Sequence, residues 1–467
     1  MNHLLISPDN LKFMNTNRLQ WAAWIVLGGI LLSFWGLYNG FPFVYPDTGT
    51  YIFTGFSGEV PIDRPLSYGL FIRHSSMRDS LFWVMYAQGI LTSALIFLLL
   101  RQYVKLVTPP LFIGVILALT ACTNISIYVS FLMPDLFTPV FYGSVLLLLL
   151  GDQRRVQLIA TALLGWLALV MHNSHLLAGT MIVGLLVLAS FSGRFRKLVP
   201  PKRLLLVGGL VAAGWLSVMS LHYAFGGKFV VQQAAHVFTM ARLNEMGLLK
   251  PYLDKACAEG KNYPICAFKD SLPEDFLWSS ESPAHKDGGW LAHTDEYRAI
   301  IRDLLTTPRF SKKYIINALN GTAQQLCYFR AEDMEKWKEN TPPYGAVQRH
   351  FPHELNNYKF DHQNHRNWYL NFDGLNTRQQ YLFFGFILLL VLTGCHPWWR
   401  AQVPGPLRHL LVFCAIAILI NAFICSTFST VVSRYQGRLI WLPVLAGFMA
   451  LYTIRKPLFE RIRAGGG

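Results

Sequence analysis

The chain has 467 residues, of which 53% are hydrophobic and only 14% charged, and its mean hydropathy is positive. A water-soluble chain of this length would not stay monodisperse with that composition, so an ordinary soluble protein is excluded and a membrane is implied. The formal charge of +15 sits in short clusters beside apolar runs, without the single basic stripe of a nucleic-acid binder, which excludes nucleic acid as a partner.

Apolar runs of about 17 to 23 residues, the length that crosses roughly 30 Å of hydrocarbon, begin near Trp21, Leu81, Pro109, Phe137, Val156, Leu176, Leu204, Tyr381, His409 and Leu439. They predict an all-α polytopic membrane protein of about ten transmembrane helices. Between the runs, Arg101/Lys105, Arg154/Arg155, the group Arg194, Arg196, Lys197, Lys202 and Arg203, then Arg400/Arg408 and Arg455/Lys456/Arg461/Arg463 fall on one side. The positive-inside rule makes that side the cytoplasm and, with Lys12 and Arg18 before the first run, places both termini there. No small-residue cleavage pattern follows the first run, which therefore reads as a retained helix. Five connectors then lie outside, at about 42–80, 131–137, 172–175, 223–380 and 431–438.

The chain thus divides into an N-terminal membrane bundle (1–222), an extracytoplasmic domain (223–380) inserted before the last three helices, and a C-terminal membrane part (381–467). The long connector holds most of the acidic residues, nearly balanced by Lys and Arg, with aromatic residues throughout, the composition of a mainly α-helical folded domain. Helical spacing runs over 229–249, 296–305 and 312–326, where Ile315, Ile316, Leu319, Ala323 and Leu326 share a face. Cys257 and Cys266 lie in this connector, while Cys122, Cys395, Cys414 and Cys425 lie in apolar runs. On an oxidising side the pair predicts a disulfide worth roughly 2–3 kcal/mol, two unpaired thiols being the alternative.

Outside that domain acidic residues are few: Asp9, Asp47, Glu59, Asp63, Asp79, Asp135, Asp152 and Glu460. Asp47, in Tyr45-Pro46-Asp47-Thr48-Gly49-Thr50-Tyr51, and Asp135, in Met133-Pro134-Asp135, stand at external helix ends. A carboxylate at a membrane boundary can take a proton from a hydroxyl substrate or ligate a divalent metal such as Mg or Mn. A turn or helix cap is the plain alternative for both. Arg64, Arg434 and Arg438 also fall in external turns, against the inside bias, and a guanidinium fork matches phosphate. Snorkelling to headgroups, or an ion pair between Arg64 and Asp63, is the alternative. His172 and His175, three residues apart, could share a face and bind metal, orient a carboxylate or relay a proton; hydrogen-bonded helix ends are the alternative.

These features resemble the GT-C class of integral membrane glycosyltransferases, which use polyprenyl-phosphate sugars as donors. In that class an essential acid follows the first helix, often with a tyrosine one turn later, as Asp47 and Tyr51 do here; Pro134-Asp135 matches the second external loop. The stretch Ile300-Ile301-Arg302-Asp303 to Thr307-Pro308-Arg309-Phe310, within Glu296 to Tyr314, and Arg434-Tyr435 extend the likeness. Asp47 departs from the paired acids of many members, and the soluble domain is inserted instead of trailing the chain. The resemblance implies a bacterial inner-membrane enzyme that moves a sugar from a polyprenyl-phosphate donor to a lipid or glycan acceptor. Asp47 would be general base, Asp135 second acid or metal ligand, and Tyr51, Arg64, His172, His175, Arg434 and Arg438 would contact substrate. An oligosaccharide polymerase or ligase using a lipid diphosphate, a lipid or glycan transporter, and an envelope assembly subunit are the rival readings.

Overall fold

The computed structural model describes residues 18–332, 334–365 and 369–464; Asp9, Lys12 and the side chains of Arg18 and Arg463 lie outside them. The molecule is all-helical, 74% helix. Among the described residues there is no strand, only an isolated parallel bridge between Phe43 and Phe131. Helices of nine or more residues are α1 (Arg18–Leu32), α2 (Pro46–Ser57), α3 (Ser67–Ser75), α4 (Leu81–Tyr103), α5 (Pro109–Cys122), α6 (Phe137–Leu150), α7 (Arg155–Val170), α8 (Asn173–Ala189) and α9 (Pro201–Ala224). They continue with α10 (Ala235–Glu245), α11 (Leu249–Ala258), α12 (Thr294–Thr306), α13 (Pro308–Cys327), α14 (Pro342–His350), α15 (Asp373–Cys395), α16 (Gly405–Phe428) and α17 (Trp441–Ala464).

Local chemistry starts several of them where the apolar runs begin. The Ser80 hydroxyl caps α4 by accepting from Phe82 N, the Thr108 hydroxyl accepts from Leu111 N at the start of α5, and Pro109 and Pro201 occupy first-turn positions that need no donor. Among the described residues, α4, α9, α15, α16 and the segment Ser433–Arg461 are long and apolar enough to cross a membrane. The other five predicted runs form shorter apolar helices, Leu19–Leu32, Pro109–Cys122, Pro134–Leu150, Arg155–Val170 and Asn173–Ala189. Two are short because they are interrupted. After Ser33 the first run resumes as Phe34–Asn39, and after Thr123-Asn124 the third resumes as Ile125–Ser130. The backbone N–H groups of Trp35 and Gly36 at the first break are met by the Ser126 and Ser130 hydroxyls of the second segment, at 3.1 and 2.8 Å. A broken helix in an apolar surrounding needs such partners for its freed donors.

A large core joins the membrane helices, where α1 crosses α4 closely at Gly29 and Gly89: a methyl on Gly89 would collide with the Gly29 carbonyl. The long connector splits between two cores. Residues from Ala234 to Phe310, including Val237, Met240, Leu249, Ile300 and Leu304, form a second, separate core, and Cys257 and Cys266 are joined by a disulfide inside that unit. From Phe329 onward, Tyr344, Val347, Phe351, Tyr358 and Leu375 pack into the large core instead. In α13 the buried side is Ala318, Gly321, Thr322 and Gln325, while Ile315, Ile316 and Leu319 are exposed. Thr322 meets Ser426 of α16 at 3.2 Å, a helix approach that selects small residues over the apolar periodicity.

Candidate functional site

The two loops that carry Asp47 and Asp135 are stitched together by main-chain bonds. Phe43 N donates to Ser130 O at 2.8 Å and Leu132 N to Phe43 O at 2.9 Å. Gln88, a lone amide within the apolar run of α4, donates to the carbonyls of Val129 and Phe131, both at 2.8 Å, and accepts from the Tyr68 hydroxyl. The Thr48 hydroxyl, one residue past Asp47, donates to Leu132 O. Gln363 pairs with both the N–H and the carbonyl of Val44, tying the 361–364 loop to the same edge.

Asp47 lies in the first turn of α2, and α3 runs back beside α2. The two cross where Gly55 faces Gly69, too close for any side chain. Arg64, between them, reaches Asp47 Oδ1 at 2.9 Å and is also paired with Asp63, with its guanidinium 5.1 Å from the Tyr51 ring centre. Asp47 keeps 24% of its side chain exposed against 3% for Asp135, so it is the carboxylate open to a ligand.

Asp135 stands before α6 and accepts from Arg438 Nη1 at 3.0 Å, with Arg434 Nε at 3.8 Å. The last turn is itself fixed. Gln325 brackets Val432 through both backbone groups, Asn421 donates to the Tyr435 carbonyl, and Tyr128 donates to the Arg434 carbonyl. Arg434 lies 4.1 Å above the Tyr45 ring, and Tyr45 is two residues from Asp47, so the two ion-paired groups adjoin through this tyrosine. Arg434 Nε and Nη1 and Arg438 Nε are buried and have no hydrogen-bond acceptor among the described residues. Buried guanidinium donors left in that state are costly unless an anion meets them.

The electrostatics tie the members together. Burial pushes the Tyr51 phenol well above the tyrosine range; Arg64 pulls it down, and Asp47, Asp135 and Asp63 push it up. Burial also raises Tyr45, against Arg434, with Asp47 and Glu332 adding to the rise. Burial opposes the charge on Arg64, but Tyr51, Asp47 and Asp63 more than offset it and hold the guanidinium protonated. Burial drives the His172 imidazole down, helped by His175, Arg438, Arg434 and Arg64.

The histidines separate in role. His175 is buried, with Nε2 on the Thr138 hydroxyl and Nδ1 on the Ala168 carbonyl, both at 2.7 Å, so neither nitrogen is left for a substrate or metal. His172 caps α8 through Nδ1, which accepts from Ser174 N. Among the described residues no three His, Cys, Asp or Glu side chains gather as metal ligands. Asp47 and Asp135 are already met by guanidinium groups, a donor set that does not fit Mg or Mn.

A cavity of about 70 Å³ opens beside Arg434 and Tyr45, lined also by Tyr128, Glu332, Trp337 and Gln363. Sequence reasoning did not single out Tyr45, Gln88, Glu332, Trp337 or Gln363. Only Gln88 leaves a sequence signal, an uncharged amide inside an apolar run, where a buried polar group must have partners. No protein-family model, curated protein or solved structure matches the chain.

Proposed function

We propose that this chain is an integral membrane glycosyltransferase that moves a sugar from a polyprenyl-phosphate donor to an extracytoplasmic lipid or glycan acceptor. The observation that carries the reading is the pairing of a part-exposed carboxylate, Asp47, with Arg64, beside Arg434 and Arg438, whose buried N–H donors meet no acceptor among the described residues, at one end of apolar helices. Phosphate recognition by guanidinium forks next to a carboxylate suits a donor whose leaving group is a phosphate and an acceptor whose nucleophile is a hydroxyl.

In this reading ten helices cross the membrane, the five shorter ones included. The basic ends at 101–105, 154–155, 194–203, 400–408 and 455–463 face the cytoplasm, and the ends carrying Asp47, Asp135 and Arg434 face outside. A bacterial inner membrane is the setting the resemblance implies. Asp47 takes the proton of the acceptor hydroxyl as its oxygen bonds to the anomeric carbon. The bond from that carbon to the phosphate oxygen breaks with inversion, and the electron pair leaves on the phosphate. Arg434 and Arg438 stabilise that growing charge, and Arg64, paired with Asp47, closes the anionic site from the α2–α3 side. Asp135 holds the two C-terminal arginines in place. Glu332, Trp337 and Gln363 line the cavity beside Arg434, which makes the 331–365 segment the acceptor-facing wall.

One observation favours a second reading, an oligosaccharide polymerase or ligase: three guanidinium groups are more than one phosphate monoanion needs, and a lipid diphosphate would use them all. Comparing Asp47→Ala with Arg434→Ala in one transfer assay separates the two. The glycosyltransferase reading predicts the larger loss for Asp47→Ala, of about 10² or more in kcat. A larger loss for Arg434→Ala with Asp47→Ala active favours the ligase.

A further inference from the structure

The apolar side of α13 has no protein partner among the described residues. Ile315, Ile316 and Leu319 are 59%, 46% and 57% exposed, within a helix whose other side is packed on α16. Its two ends belong to different surroundings. Phe310 is part of the second core, whereas Gln325 bonds to the Val432 backbone and Leu326 packs on the large membrane-helix core. The helix therefore descends from the connector domain onto the boundary of the membrane bundle.

The neighbouring surface indicates what covers it. α16 is a candidate membrane span, and its exposed stripe, Val412, Ile416 and Leu419, follows helical spacing along one face, as a lipid-facing side does. Phe428, 48% exposed, carries that apolar surface to the end of α16, where Tyr314 and Thr322 of α13 pack against Thr427 and Ser426. One turn toward the connector domain from the exposed isoleucines stand Arg309, Lys312 and Lys313, all exposed and none paired with a carboxylate among the described residues. Isoleucine and leucine below a collar of free cations is the arrangement of a helix that dips into the acyl boundary while its basic stems reach headgroup phosphates.

We infer that α13 is a membrane-interface helix, with Ile315, Ile316 and Leu319 in the acyl region and Arg309, Lys312 and Lys313 on the phosphates of an anionic lipid surface. The assignment does not depend on the sugar-transfer reading. It fixes the height of the connector domain over the bilayer and ties the Gln325–Val432 contact, which holds the turn of Arg434, to the lipid surface.

The test is nitroxide accessibility on the full chain in nanodiscs of equal parts phosphatidylcholine and phosphatidylglycerol. The label is placed by Leu319→Cys, with Cys122, Cys327 and Cys395 changed to Ala and the Cys257–Cys266 disulfide kept. A reference label goes at Asp295→Cys, a fully exposed position. The inference expects oxygen to collide with the Leu319 label more often than a water-soluble nickel chelate does, with the order reversed at Asp295. It also expects the Leu319 label to sit deeper in the mixed discs than in pure phosphatidylcholine, a difference lost in the Arg309→Gln, Lys312→Gln, Lys313→Gln variant. A Leu319 label as open to the nickel chelate as Asp295 overturns it. So does a label shielded from both reagents in particles of doubled protein mass, which would show that a second copy covers the face.

Discussion

Arg438 is fully buried against Asp135, and such a pair is more dangerous to break than it is valuable to have. Arg438→Gln strands a 3% exposed carboxylate with only Arg434 at 3.8 Å, and is expected to cost about 3–5 kcal/mol of stability. A clearly lower unfolding midpoint in detergent checks this. An unchanged midpoint would mean that water reaches Asp135. Asp361, on the loop that holds Val44, is a separate case: burial raises its carboxyl to about 7, although hydrogen bonds from Asn364 oppose the rise. A carboxyl raised on folding keeps its proton in the native state where the unfolded chain has lost it. Its contribution is therefore greatest below the unfolded pKa of about 4 and is lost as pH rises through about 7. Asp361→Asn should remove that slope, so the gap in melting temperature between variant and native protein moves in the variant's favour from pH 5 to pH 8. A pH-independent gap would contradict it. Asp47 and Asp135 were legible in the sequence because acids are scarce outside the connector. Their arginine partners were legible as cations set apart from the basic clusters, but not as partners, because the Asp135–Arg438 contact spans 303 residues and exists only after the helices assemble.

At the scale of elements, the α2–α3 hairpin is the part that holds Asp47 to Arg64, and its crossing rests on Gly55 against Gly69. Gly55→Ala drives a methyl into a backbone carbonyl and should cost about 1–3 kcal/mol while spreading the hairpin. Sugar transfer should fall with it, and Arg64 should become more reactive to an arginine-selective reagent; transfer at the native level would separate the hairpin from the site. Helix positions followed from apolar runs, yet the breaks at Ser33 and Thr123-Asn124 did not. Ser126 and Ser130 repair the first break from a segment about ninety residues away, and nothing local signals such a repair. The side on which α13 packs was not legible in its periodicity for a similar reason, since close approach to Ser426 favours Gly321 and Thr322 over the larger apolar residues.

At the scale of the whole molecule, two cores share one connector. The disulfide staples the second core, so reduction should loosen that unit by roughly 2–3 kcal/mol and leave the bundle intact. Trypsin should then cut faster around Lys250 to Lys269 without faster release of membrane fragments; equal cleavage in both regions would show that the two cores unfold together. The composition and basic clusters made the membrane class legible, but the division of the connector was not, because residues 329–375 have the same mixed polarity as the second core and differ only in what they pack on. Sugar transfer at Asp47 is tested by a mass-spectrometric assay of purified protein with a panel of polyprenyl-phosphate sugars and envelope lipid extract, beside Asp47→Asn. A glycosyltransferase gives a sugar-bearing product, or hydrolysed donor, that disappears in the variant. Intact donors throughout, with folded protein and substrate flux in proteoliposomes, would contradict it and make the chain a transporter.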